Sequence, residues 1–191
     1  MNRTPLEPRR WTRKEYAQLG EAGILDDDPV ELIGGDLIVS EPKGTSHATA
    51  VRLAAHALRA VFGAGWIVCV QDPVALDDES EPEPDVAVVR GELRDYRHQH
   101  PSEAALIVEI AESSLDFDRR RKGSLYARAG VRDYWIVNLV AARLETHREP
   151  ISDASAPSGW RYRVVESLAP PASVSPLAKP EASIAVADLL P

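Results

Sequence analysis

The stretch Ala104-Ala105-Leu106-Ile107-Val108-Glu109-Ile110-Ala111 is apolar at every position but one. A nearly continuous apolar run of this kind reads as a central strand covered on both faces. Strand alternation puts Glu109 on one face with Ile107 and Ala111, and Leu106, Val108 and Ile110 on the other. A carboxylate buried in such a strand is costly unless it is paired, protonated or bound to a metal ion. The reading of both fold and chemistry starts from Glu109.

The flanking segments supply the rest of a sheet. Residues 86–89 form a short β-branched strand opened by Pro84-Asp85. A hairpin-like return into 104–111 brings Asp85 and Glu109 to one sheet edge. Downstream, 116–129 reads as a helix with Gly130 as its stop, then 134–139 and 143–148 as a hairpin, 151–159 as a loop and 160–166 as an alternating strand. Upstream, Thr12 and Glu15 have capping-box spacing, so a helix is predicted over 13–23. Apolar runs at 30–33 and 36–39 around Gly34-Gly35 predict a hairpin. Ser46 is the predicted cap of a second helix, whose apolar stripe (Val51, Ala54, Ala55, Leu58, Val61, Phe62) ends at Gly63. Residues 66–70 and 74–76 read as strand pieces interrupted by Pro73, and 77–85 as an acidic, Pro-containing loop. Residues 170–180 read as a Pro- and Ser-rich surface connection before a short terminal element at 184–190. Helices and strands intermix, which predicts one α/β or α+β domain over 1–191, a mixed sheet flanked by helices, with an N-terminal extension at 1–11.

Composition limits the function classes. The 191 residues carry 22 Lys and Arg against 30 Asp and Glu, a formal net charge of −8. That balance argues against a protein that coats polyanions, because nonspecific nucleic-acid affinity comes mostly from Lys and Arg at phosphates. The charge is uneven, however. Residues 72–85 hold seven acids and no base, whereas 113–132 hold six Lys and Arg against Asp116 and Asp118. Cys69 is the one cysteine, so an internal disulfide and a multi-cysteine zinc site are excluded, and a reducing, cytoplasmic compartment is expected. No signal peptide or membrane span is expected. Only four of the basic residues are lysines, which singles out Lys122.

Two converging carboxylates at about 4 Å repel by roughly 1–4 kcal/mol, depending on effective dielectric. A hard divalent cation removes that penalty, and Mg²⁺ favours one or two carboxylates with waters and phosphate oxygens. Lys122, thirteen residues after Glu109, could orient or deprotonate an attacking water or stabilise charge on phosphate. Arg119, Arg120 and Arg121 could reach DNA phosphates, or pair with Asp116 and Asp118. His98 and His100 have strand spacing for a metal pair, but Pro101 and polar neighbours favour a surface loop. Glu81 and Glu83 favour a solvated loop over a cation site. Tyr126, one turn beyond Lys122, reads as core that could bond nearby. Cys69 reads as core, not as a nucleophile.

Taken in order, Pro84-Asp85, Val108-Glu109-Ile110-Ala111-Glu112-Ser113-Ser114, Asp118-Arg119-Arg120-Arg121-Lys122, Leu125-Tyr126-Ala127-Arg128-Ala129-Gly130-Val131 and Tyr134-Trp135-Ile136-Val137 resemble the Uma2 family of the PD-(D/E)XK nuclease superfamily. Upstream, Glu31-Leu32-Ile33-Gly34-Gly35, Ser46-His47 and Gln71-Asp72-Pro73-Val74 extend the resemblance to most of the chain. The resemblance implies a restriction-endonuclease-like fold. It also implies that Asp85 and Glu109 are ligands of Mg²⁺ or Mn²⁺ and that Glu31 completes the shell. His47 matches a family position near the second helix and could contact phosphate or position water. Gln71 also matches, with no chemistry assigned. The wider superfamily carries a Lys two residues after the second acid; here Ala111 stands there, and the resemblance moves that role to Lys122.

The implied activity is metal-dependent hydrolysis of DNA phosphodiester bonds, with DNA as partner and no organic cofactor. A homodimer is expected, since one site per chain cuts two strands most simply as a two-fold pair. The alternative is a catalytically silent DNA- or protein-binding module associated with mobile elements, which the acidic charge and Ala111 favour.

Overall fold

The computed structural model describes residues 8–25, 29–40 and 43–191. The central strand runs over Leu106–Ala111 (β5), buried at all six positions. It lies third in a six-stranded sheet ordered β3-β4-β5-β6-β7-β8. These strands are Trp66–Cys69 (β3), Val86–Arg90 (β4), Asp133–Asn138 (β6), Arg143–Ser152 (β7) and Trp160–Leu168 (β8). The β4–β5 pair is antiparallel, with Val86 opposite Val108. That register puts Asp85, the residue before β4, beside Glu109. The β5–β6 pair is parallel, which requires a crossover; the other neighbours are antiparallel.

The two faces of β5 build two cores. Leu106, Val108 and Ile110 pack with Trp135, Val137 and the apolar stripe of Thr45–Phe62 (α2; α1 is Arg13–Glu21). Ile107 and Ala111 pack with Tyr126, Ala127, Tyr134 and Ile136 on the opposite face. Helices therefore cover both sides of a mixed sheet, as the two-sided apolar pattern requires. The fold class expected from the sequence is the one observed.

Several local readings need correction. Helix α2 starts at Thr45 with Gly44 as its cap, not Ser46, and the cap makes no side-chain hydrogen bond. Residues 74–76 are not a strand; their N–H groups go to the carbonyls of Pro82, Pro101 and Ser80 instead of a ladder. The acidic loop is solvated only at Asp78 and Glu79, and Glu81 and Glu83 are half-buried. Ser80 is fully buried, the Glu81 N–H donates to Leu32 O at 2.8 Å, and Arg13 and Arg128 neutralise Glu81 and Asp77. The 170–180 connection is partly core, because Ser173–Val174 (β9) pairs with Ile184–Ala185 (β10) and buries Val174.

The helix predicted over 116–129 is interrupted. It consists of Leu115–Phe117 (α3), a π-helical turn at Asp118–Lys122 and Gly123–Arg128 (α4). Propensity and periodicity carry no signal for one extra residue in a turn. Such π-turns concentrate at functional sites.

The predicted hairpin is Val30–Ile33 (β1) and Asp36–Val39 (β2). Gly35 has φ +80°, and a Cβ there would sit 2.8 Å from Arg10 Cδ, so this turn needs glycine. Arg10 and Trp11 of the N-terminal extension dock on the turn through the carbonyls of Gly34 and Gly35. Residues 1–7 of that extension lie outside the described residues. No helix among the described residues is long and apolar enough to cross a membrane.

Candidate active site

Glu31, Asp85, Glu109, Lys122 and His47 all line one cavity of about 340 Å³, together with Lys43, Glu83 and Asp118. Five elements deliver them: β1, the start of β4, β5, the π-turn and the first turn of α2.

Glu109 is 3 % exposed. Its Oε1 accepts from Lys122 Nζ at 3.0 Å and from Tyr126 OH at 2.7 Å, and its Oε2 lies 3.4 Å from the Asp85 N–H. Burial pushes its carboxyl up to about 8, against the pull of Lys122 and with the help of Asp118, Asp85 and Glu31. The Tyr126 hydroxyl is pushed well above its ordinary value by burial and by Glu109, so it stays a donor.

Lys122 is equally enclosed. Its ammonium lies 3.0 Å from Glu109 Oε1 and 3.0 Å from Glu31 Oε2. Burial alone would lower its pKa; Glu109, Glu31 and Asp118 outweigh that and hold it above the usual lysine value. Glu31 also accepts from Ser40 Oγ and from the Glu83 N–H.

Asp85 is more polarised. Ile110 N–H donates to Oδ2 at 2.9 Å, and His47 Nε2 lies 3.1 Å from the same oxygen. Lys43 Nζ and Gln71 Nε2 donate to Oδ1 at 3.1 and 3.3 Å. Burial opposes its charge, yet the His47 and Lys43 contacts and the Ile110 N–H hold the carboxyl down at about 2. Gln71 thus has a structural role: it steadies Asp85 from a residue with φ +56° whose own N–H bonds to Asp85 O. His47 Nδ1 is buried with no hydrogen-bond partner among the described residues.

Other expected positions scatter. Arg119 forms a two-pronged pair with Glu145, at 2.8 and 2.6 Å, and Arg121 pairs with Asp36, so neither partner is Asp116 or Asp118. Arg120 is exposed on the π-turn. His98 and His100 sit in an exposed turn away from the cavity. Glu83 lines the cavity, half-buried, with its carboxyl raised by burial and by Glu31. Cys69 is half-buried, and burial raises its thiol, which opposes a thiolate nucleophile.

Two cavity residues escaped sequence reasoning. Asp118 is buried, accepts from Ser114 Oγ at 2.5 Å and is raised by burial to about 6. Lys43, one of the four lysines, precedes α2. The scarcity of lysine that singled out Lys122 applies to Lys43 as well.

The donor set suits a hard divalent ion. Glu31, Glu83, Asp85, Glu109, Glu112 and Asp118 line the cavity with two lysines, six acids to two bases, and burial raises three of the carboxyls. Among the described residues, no three His, Cys, Asp or Glu form a ready cage.

A model of the Uma2 family, described as "Putative restriction endonuclease", matches residues 13–187. The chain belongs to the Uma2 family. Among solved structures, the Uma2 chain is similar to a putative nuclease belonging to DUF820 from Anabaena variabilis ATCC 29413. That match has 15% identity and a TM-score of 0.65, and covers 85% of this chain and 90% of the other. At that identity the likeness concerns the fold. No curated protein matches. The family's description supports a nuclease-like function for this Uma2 protein.

Proposed function

We propose that the protein is a Mg²⁺- or Mn²⁺-dependent endonuclease that hydrolyses DNA phosphodiester bonds. The observation that carries this reading is the convergence of Asp85, Glu109 and the π-turn lysine, Lys122, in one acidic cavity. Asp85 and Glu109 would hold the ion, with Glu31 supporting the shell. A bound ion supplies charge neutralisation and Lewis-acid activation at the phosphate.

The protein's own groups do the rest. Lys122, held as an ammonium, acts as a fixed positive charge beside the developing phosphate charge and not as a proton acceptor. Tyr126 and the Ile110 N–H fix the orientation of the two carboxylates. His47 is placed to position a water or a phosphate oxygen from the Asp85 side. Arg120 contacts a DNA phosphate outside the cavity, and a two-fold pair of chains addresses both strands.

Plasmid cleavage with and without Mg²⁺ or Mn²⁺ tests the reading. Cation-dependent nicking or linearisation is expected from the wild type and none from Glu109→Ala. Activity that survives in Glu109→Ala would assign the cleavage to another site or another protein. The second reading, a binding module without turnover, draws on the four donors already occupying Asp85. It requires salt-sensitive DNA binding with no cation uptake, which calorimetry with Mn²⁺ measures.

A further inference from the structure

Lys43 is a cavity residue to which the proposed function gives no part. Its ammonium lies 3.1 Å from Asp85 Oδ1, and its side chain is 39% exposed at the cavity mouth, whereas that of Asp85 is 5% exposed. The four donors on Asp85 differ in kind. Ile110 N–H belongs to the sheet. His47 is buried on α2. Gln71 is neutral, and its backbone is tied to Asp85 O. Lys43 is the charged donor on a long, partly solvated stem, and such a side chain leaves a contact at small cost. It is also the donor whose charge a divalent ion on Asp85 would replace.

From this we infer that Lys43 is a second active-site lysine with two positions. Without the cation it neutralises Asp85 and competes for the oxygen an ion would use. With the cation bound, repulsion drives the ammonium off Asp85, and its stem leaves it at the cavity mouth, facing the phosphate of the DNA. Lys122 cannot play this part, because it is enclosed between Glu31 and Glu109. The inference rests on the proposed cation-dependent nuclease.

Two readouts that move in opposite directions test it. Mn²⁺ affinity is measured by calorimetry or by electron paramagnetic resonance of free Mn²⁺, without DNA. Lys43→Met is expected to bind Mn²⁺ on the order of tenfold more tightly, from the repulsion of an ammonium and a divalent ion at contact range in near-aqueous dielectric. Binding of a short DNA duplex at saturating Mn²⁺ and 4 °C, with intact duplex confirmed on a gel, is expected to weaken. The slope of log affinity against log salt is expected to fall by about 0.9, the loss of one phosphate contact. Lys43→Arg restores the salt slope.

Mn²⁺ affinity in Lys43→Met equal to or below wild type, or an unchanged salt slope, overturns the inference. Asp85→Asn separates the two levels. Wild type that binds Mn²⁺, with loss in Asp85→Asn and no gain in Lys43→Met, overturns the role of Lys43 alone. Wild type that binds no Mn²⁺ overturns the cation reading and this inference together.

Discussion

Replacing Lys122 by methionine removes the enclosed cation and keeps the stem. The ammonium has carboxylate oxygens of Glu31 and Glu109 each at 3.0 Å, and 8% of its side chain is exposed. At an effective dielectric of about 20, a unit pair at 3 Å is worth roughly 5–6 kcal/mol. Desolvation consumes several kcal/mol per ion. The net loss on breaking such a buried pair is about 3–5 kcal/mol, because the carboxylates are left without their partner. Urea unfolding followed by circular dichroism should show that loss in Lys122→Met without added cation. Adding Glu31→Gln to Lys122→Met removes the other carboxylate in contact with the lost ammonium, so the double variant should recover about 1–3 kcal/mol, the coupling expected of residues in contact. Saturating Mn²⁺ should also recover part of the loss by binding the folded state. Lys122→Met within 1 kcal/mol of wild type, or a double variant no more stable than the single one, would refute the view that a buried charge balance holds this site together.

Burial of His147 holds its imidazole down at about 4 from 6.5 against the pull of Glu145, whose Oε2 lies 3.8 Å from Nε2. The unfolded state then binds the extra proton, so stability should fall by about 3 kcal/mol as pH drops from 6.5 towards 4; His147→Phe should flatten that part of a urea-midpoint-versus-pH curve. Asp133 is fully buried and accepts from Trp135 Nε1, Arg148 Nε and the Leu177 N–H at 2.8 Å each. Asp133→Ala should cost about 3–5 kcal/mol in chemical denaturation, far from the cavity and without altering Mn²⁺ affinity. Deleting Arg120 should convert the π-turn to regular helix and rotate Lys122 by about 100° relative to Asp118. The variant should keep the far-ultraviolet spectrum of the fold and lose plasmid cleavage.

The sheet was legible because its residues obey simple periodicities. The faces of β5, the hairpin around Gly34-Gly35 and the stop at Gly130 each follow from local pattern, and the antiparallel return placed Asp85 beside Glu109. What stayed hidden is set by tertiary contact. Glu81 looked solvated because the acids of its loop are visible in sequence, whereas Arg13, which pairs with it, and Arg128, which pairs with Asp77, lie far away in the chain. Asp118 looked like a surface helix charge until the π-turn rotated it inward. Arg119 and Arg121 looked available to DNA, and their partners Glu145 and Asp36 lie on strands 26 and 85 residues away.

Those same ion pairs locate the acid excess. Arg13, Arg119, Arg121, Arg128 and Arg148 are each committed to an acid outside the cavity. The cavity, by contrast, is lined by six acids and two lysines. A protein with a net charge of −8 is a poor polyanion ligand only if its charge is spread evenly. Here a substantial share is gathered where a divalent ion would neutralise it, while Arg120 and the mouth lysine, Lys43, remain at the surface. On the proposed function, the acidity that at first argues against a nucleic-acid partner becomes a reason to expect cation dependence: without an ion the cavity would repel a phosphate, and an ion would remove that repulsion beside the ammonium of Lys122.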